Sequence, residues 1–237
     1  MFDLSIIIVN WSTRELLKQC LEAVYNTIRG VEFEVWVVDN ASTDGSAAMA
    51  RDAFPEVRLI ENAQNLGFAR ANNQALEKCT GRYALLLNSD AFLGAGAAAA
   101  LIKALEADPR AGIAGARLVY PDGRAQRSYS RLPGLLGEVG SLLGLDKLNQ
   151  GAGGREKGDM TEVGAVSGAC LLARRAMLAQ IGLLDERFFM FSEEIDLCRR
   201  ALAAGWKVVH VPAAQVVHLG GGSSGLTAGR VLQLYQA

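Results

Sequence analysis

The sequence predicts an α/β fold, a Rossmann-like and mainly parallel sheet flanked by helices, built as a single domain. Three observations carry this expectation. Apolar, β-branched runs at 4–9, 33–38, 57–60 and 83–87 alternate with segments of helical periodicity, the pattern of strands buried on both faces and linked by helical crossovers. Most of these runs end in a polar residue, which gives the sheet a polar carboxyl edge, the place where open α/β sheets bind ligands. Finally, 237 residues, 50% apolar and 21% charged, supply a core large enough to fold without disulfides or metal.

Each element follows from local chemistry. After the first strand, Ser12 to Glu15 reads as a capping box opening a helix with Leu16, Leu17, Cys20 and Val24 on one face. Asp39 to Gly45 is a polar turn, and the short helix expected over 46–54 is closed by Pro55. The turn Asn65-Leu66-Gly67 leads into a helix over 69–78 that ends near Gly81. A helix at 97–107 and a strand at 112–116 follow the fourth run. Regular periodicity then fades. Residues 120–162 carry Pro121, Pro133 and a glycine cluster, too long for an ordinary connection, and read as a mobile excursion. Order returns with a strand at 165–173, helices at 175–180 and 193–204, and two short strands at 207–211 and 215–217.

Charge and cysteine usage narrow the class. The 24 basic and 25 acidic residues leave a net charge of −1, so the chain as a whole has no drive toward nucleic acid. Locally, five arginines stand against one aspartate between Arg110 and Pro133. Cys20, Cys79, Cys170 and Cys198 have no C-x-x-C spacing and read as buried free thiols in a reducing compartment. The N-terminus lacks a basic n-region, and the apolar stretch 91–102 is too short to span a bilayer. The expectation is a cytoplasmic protein, with peripheral contact at the inner face of the cell membrane left open.

The carboxyl edge collects the candidate residues: Asn10 after the first strand, Asp39 and Asn40 after the second, the Gly67 turn after the third, and Asn88-Ser89-Asp90 after the fourth. A carboxylate such as Asp90 suits Mg²⁺ or Mn²⁺ shared with phosphates; the competing reading is a cap for the next helix. His218 closes the last strand ahead of Gly220-Gly221-Gly222, against the reading of a packed histidine, which suits His210 within its strand. The densest signal is Phe188-Phe189-Met190-Phe191 followed by Glu193, Glu194 and Asp196. Acids in a first helical turn are favoured by the helix dipole, but apolar walls also raise a carboxylate's pKa and make it a better base.

Taken together, Ser5 to Ser12, Val37 to Ser46, Asn65 to Ala69 with Asn73, Leu86 to Asp90, Val166 to Cys170, Phe188 to Leu197 and Val217 to Ser223 resemble the family 2 glycosyltransferases of GT-A (nucleotide-diphospho-sugar transferase) fold. The bacterial rhamnosyltransferase branch is the most similar, and the resemblance covers nearly the whole chain. It implies an inverting, metal-dependent glycosyltransferase of cell-surface polysaccharide or lipid-linked glycan synthesis. The donor would be a UDP- or dTDP-sugar, with rhamnose suggested by the branch, and the acceptor a glycan or lipid-linked glycan. Residues 1–118 would then hold the nucleotide sugar, and 119–237 the acceptor and the catalytic group.

The resemblance also implies roles. Asn10 and Asp39 hold base and ribose, and the Gly67 turn closes over the base. Asn88 and Asp90 fall on the family's Asp-x-Asp motif; Asn88 replaces its first acid, which lowers the charge available to a metal. His218 matches a late metal-binding histidine, so Asp90 and His218 are the implied ligands of Mg²⁺ or Mn²⁺. Glu194 matches the catalytic base, and Glu193 joins the donor-binding residues. Two rival readings remain. Gly94-Ala95-Gly96 fits a loose dinucleotide fingerprint of a nicotinamide oxidoreductase, but lies six residues past a strand instead of directly after it. A non-catalytic sugar-nucleotide binder is the other, and intact Asp90, Glu194 and His218 argue against it.

Overall fold

The computed structural model describes residues 2–132 and 160–220. Its strands are β1 (Leu4–Asn10), β2 (Phe33–Asp39), β3 (Arg58–Glu61), β4 (Tyr83–Asn88), β5 (Ala91–Leu93), β6 (Ala111–Val119), β7 (Tyr129–Ser130), β8 (Thr161–Glu162), β9 (Ala165–Val166), β10 (Cys170–Arg174) and β11 (Lys207–His218). The helices are α1 (Arg14–Thr27), α2 (Ser46–Ala53), α3 (Phe68–Leu76), α4 (Ala97–Ala107), α5 (Arg175–Ile181) and α6 (Glu193–Ala203). The main sheet runs in the order β3-β2-β1-β4-β10-β6-β11-β5, with β8 paired to β11, and β7-β9 forms a small second sheet.

The sheet is mixed, and the mixture is not random. β1, β2, β3 and β4 pair in parallel, as the alternating runs imply. β10 then enters antiparallel between β4 and β6, and β5 pairs antiparallel to the end of β11. In-register pairing aligns the carboxyl ends: Asn10 lies opposite Asp39, and Val9 opposite Asn88. Alternate side chains of β1 feed opposite faces. Ile6 and Ile8 join Leu17, Leu21, Leu87 and Leu101 in one fully buried cluster, while Ile7 joins Val38, Leu86, Leu171 and Leu197 in the other. Apolar residues on both faces explain why the strand reads as an unbroken apolar run.

Several local expectations change. Ser12 and Glu15 do not form a capping box. The N-cap is Thr13, with no side-chain capping bond of its own. The Arg14 N–H donates instead to Asp44 Oδ2 at 2.8 Å, so an acid from the β2–α2 turn caps α1 across the chain. The strand expected at 165–173 is split into β9 and β10 by Ser167-Gly168-Ala169. The two short strands expected near the end are one strand, β11, with a register shift between Val211 and Gln215. β5 was not anticipated. Of the excursion at 120–162, the beginning is a turn bridged by Val119 and Ala125 and the end carries β8; its middle, 133–159, lies outside the described residues, as do Gly221 and Gly222 of the glycine run. All four cysteines are buried and free. Among the described residues no helix is long and apolar enough to cross a membrane.

Candidate functional site

A cleft of about 210 Å³ opens over the carboxyl edge, lined among others by Trp11, Asn40, Gly67, Asn88, Ser89, Gly168, Phe189, Phe191, Glu193, Glu194 and His218. It joins strand ends from the parallel part of the sheet to the start of α6.

The parallel part is fully braced. Asn10 donates to Asp39 Oδ1 and to Ser42 Oγ, both at 3.1 Å, and accepts from Thr13 Oγ1 at 2.6 Å. Asp39 Oδ2 accepts the Ser42 N–H at 2.9 Å. Asn10 and Asp39 are therefore buried behind the cleft wall and shape the turn from within. The side chain that faces the cleft is the next one, Asn40. Its amide donates to Asn65 Oδ1 and the Gly67 carbonyl, while its oxygen accepts from Asn62 Nδ2 and the Leu66 N–H. Gly67 has φ +81°, and a Cβ there would lie 2.5 Å from the Phe189 carbonyl oxygen. Only glycine meets both demands. The neighbouring Phe68 N–H donates to that same carbonyl at 2.6 Å, latching the turn to the aromatic segment before α6.

The other wall is not braced in this way. Phe191 and Ser192 both adopt positive φ, 69° and 75°, and this reversal turns Glu193 and Glu194 into the cleft. Glu193 Oε2 and Glu194 Oε2 are buried with no hydrogen-bond partner among the described residues. Burial pushes the Glu193 carboxyl up to about 7, with the neighbouring Glu194 charge adding to the rise. Burial also raises Glu194, and backbone N–H groups at the helix start only partly offset it. Asp196 points elsewhere, accepting from Arg199 at 3.2 Å and Arg200 at 2.7 Å, the pairs that helical spacing allows.

The third group comes from β11. Pairing sets His218 opposite Ala91 of β5, so its ring meets Asp90, with Nε2 3.4 Å from Oδ1. Asp90 is fully buried and stands just behind the cleft wall, which its neighbours Ser89 and His218 line. His218 Nδ1 is 2.8 Å from Gln126 Oε1, and the Gln126 amide N–H donates to the His218 carbonyl. That donation turns the amide oxygen toward the ring, so Nδ1 is an N–H and, in the neutral ring, Nε2 offers the lone pair. A lone pair and a carboxylate thus face each other at a distance that suits two ligands of one cation, since atoms about 2.1 Å from a shared Mg²⁺ in neighbouring positions are roughly 3 Å apart. Among the described residues no group of three or more His, Cys, Asp or Glu side chains could hold a metal. Gln126 carries no signal in the sequence; the turn that folds back on β6 and the pairing of β6 with β11 bring it here together.

The family model for "Glycosyl transferase family 2" matches residues 5–182. The chain belongs to glycosyl transferase family 2. This family 2 chain is 35% identical over 201 residues to an N-acetylglucosaminyl-diphospho-decaprenol L-rhamnosyltransferase of Mycobacterium tuberculosis, an alignment covering 78% of the chain and 66% of that relative. It superposes on GalNAc-T7 with UDP, GalNAc and Mn²⁺ at a TM-score of 0.67, with 16% identity over 92% of the chain and 44% of the neighbour. It also superposes on the mannosyltransferase PcManGT of Pyrobaculum calidifontis with GDP-Man and Mn²⁺ at 0.66, with 20% identity over 92% and 57%. The family 2 chain has the GT-A fold, and it spans two thirds or less of the length of these proteins. The rival dinucleotide fingerprint is a packing feature: the Gly94 N–H donates to the Gln215 carbonyl, and a Cβ at Gly94 would lie 2.7 Å from that oxygen.

Proposed function

We propose that this chain transfers a sugar, rhamnose by its closest motif pattern, from a UDP- or dTDP-sugar to a hydroxyl of a glycan or lipid-linked glycan acceptor, with inversion. The observation that carries this reading is the pair of buried carboxylate oxygens, Glu193 Oε2 and Glu194 Oε2, that share one cleft with the Gly67 turn, Asn88 and His218. Buried carboxylate oxygens with no partner among the described residues cost stability and mark a candidate functional site.

In this reading Asn10 and Asp39 hold the turn that receives base and ribose, and Asn40 and Gly67 present its cleft-facing surface. Asn88 and Glu193 meet the donor beyond it. Glu194 takes the proton of the acceptor hydroxyl. The oxygen so freed attacks the anomeric carbon, its new bond forming as the bond to the leaving diphosphate breaks on the opposite side. The proton remains on Glu194. A retaining route needs a nucleophile on the far face of the sugar, whereas Glu193 and Glu194 start one helix. A divalent cation, Mg²⁺ or Mn²⁺, held by Asp90 and His218 would neutralise charge on the leaving diphosphate. Two solved structures of the same fold carry Mn²⁺ beside a nucleotide or nucleotide sugar, which supports a divalent cation in general. We assign residues 1–118 to the donor and 119–237 to the acceptor, with the basic stretch that begins at Arg110 running across that boundary into the acceptor half and in peripheral contact with the membrane's inner face.

A panel of UDP-, dTDP- and GDP-sugars with either cation tests the donor: the right one raises the melting temperature by mass action. Against that donor, Glu194→Gln retains affinity and lowers turnover by roughly 10²–10⁴-fold, the usual contribution of a general base. Near-normal transfer by this variant moves the base to Glu193.

A further inference from the structure

We propose that Gln126 is a positioning residue that fixes the tautomer of His218 and thereby presents Nε2 as an electron-pair donor beside Asp90. The proposal rests on the reading that Asp90 and His218 hold a divalent cation. Three observations lead to it. Gln126 grips His218 twice through one amide, at the ring Nδ1 and at the backbone carbonyl. An amide that donates with its nitrogen to a carbonyl has only its oxygen left for the ring, so the partner atom must be an N–H. The remaining ring nitrogen is the one turned to Asp90.

Gln126 is itself held in place. Its N–H donates to the Leu118 carbonyl at 2.9 Å, and its carbonyl accepts from Ser128 Oγ at 3.0 Å. Ser128 Oγ in turn accepts the Leu118 N–H at 2.8 Å. The turn that carries it closes on β6, which pairs in parallel with β11 up to Val217. A Cβ at Gly220 would lie 3.6 Å from Gln126 Nε2, so the chain after His218 packs on the amide as well. Histidines that bind metals commonly donate their other ring N–H to such a group, which sets ring orientation and basicity, and losing it typically costs about 10–100-fold in metal affinity.

His218 and His210 are the two histidines of the chain, so each ring nitrogen can be resolved in protein labelled with ¹⁵N-histidine, with His210 as the internal control. In cation-free protein, at a pH where the ring is neutral, His218 of the unmodified chain and of Gln126→Glu carries its proton on Nδ1. In Gln126→Leu the proton redistributes toward Nε2. Mn²⁺ affinity in the presence of UDP, read by electron paramagnetic resonance, stays within a few fold for Gln126→Glu and falls about 10–100-fold for Gln126→Leu. Gln126→Asn keeps the amide but withdraws it by one methylene; it is expected to behave like the leucine variant and serves if that variant does not fold. An unchanged His218 tautomer and unchanged Mn²⁺ affinity in both the leucine and asparagine variants overturn the proposal. Mn²⁺ affinity that is also indifferent to His218→Ala overturns the cation reading beneath it, and the ring-nitrogen spectra then still decide whether Gln126 sets the tautomer.

Discussion

The two walls of the cleft are built on opposite terms. On the β1–β2 side, Asn10, Asp39, Ser42 and Asn40 bond one another until Asp39 has both oxygens engaged and Asn40 has all its groups paired. On the α6 side, Glu193 and Glu194 each bury one carboxylate oxygen that no group among the described residues satisfies. A wall that must recognise one rigid shape gains from being finished before the ligand arrives, because preorganisation removes ordering costs. On the proposed reading the α6 wall accepts a proton, and such a wall gains from being left incomplete, since a satisfied carboxylate is a poor base.

Four changes break or sharpen this contrast. The largest effect is expected where the walls meet. Gly67→Ala puts a Cβ 2.5 Å from the Phe189 carbonyl in a backbone of φ +81°, and overpacking plus left-handed strain should cost on the order of 3–4 kcal/mol in chemical denaturation. Next is Glu193→Gln. Glu193 has a folded pKa of about 7 against an ordinary 4.5, so the folded state holds the proton more tightly and its contribution, complete at pH below 4.5, is lost as pH rises through 7. Relative to the unmodified chain, the glutamine variant should gain stability with rising pH, up to roughly 3 kcal/mol at 1.36 kcal/mol per unit. Melting curves at acidic and alkaline pH check this; parallel curves would mean the acid is not desolvated. On the braced wall, Asn10→Ala strands Asp39 Oδ1 without its 3.1 Å donor and should cost about 1–3 kcal/mol, with no such dependence on pH around 7. Smallest is Asp196→Asn, which weakens two partly exposed pairs with Arg199 and Arg200. It should cost about 0.5–1 kcal/mol, and a loss of turnover beyond what that explains would draw Asp196 into the site.

The same contrast governs what could be read from sequence. Parallel strands place their carboxyl ends on one edge, so Asn10, Asp39 and Asn88 announce themselves one residue past their apolar runs, and the Gly67 turn a few residues past its own. The pairing of Asp196 with Arg199 and Arg200 was legible because helical spacing is local. What depended on distant chain was not. Asp44 caps α1 from 30 residues away, which displaced the expected Ser12–Glu15 box. The Ser167-Gly168-Ala169 break between β9 and β10 reads as apolar strand until Gly168 is seen packed against the Glu194 side chain. Gln126 meets His218 across 92 residues and looks like any polar residue in a turn. Asn10 and Asp39 show the converse: the right neighbourhood, but one layer behind the surface that Asn40 presents.

The backbone before α6 carries a further consequence. Phe191 and Ser192 are consecutive non-glycine residues in the left-handed region, a conformation that costs on the order of 1–3 kcal/mol at each position. The Phe68 N–H clasping Phe189 and the Asp196 N–H bonded to the Ser192 carbonyl hold the segment in that shape from both ends. Glycine at 192 would relieve the folded state, yet it would also free the pivot about which Glu193 and Glu194 swing. A library of this chain selected for heat resistance alone should therefore collect glycine at 191 or 192 and lose catalytic turnover as it does, because here resilience and aim are drawn from the same two residues.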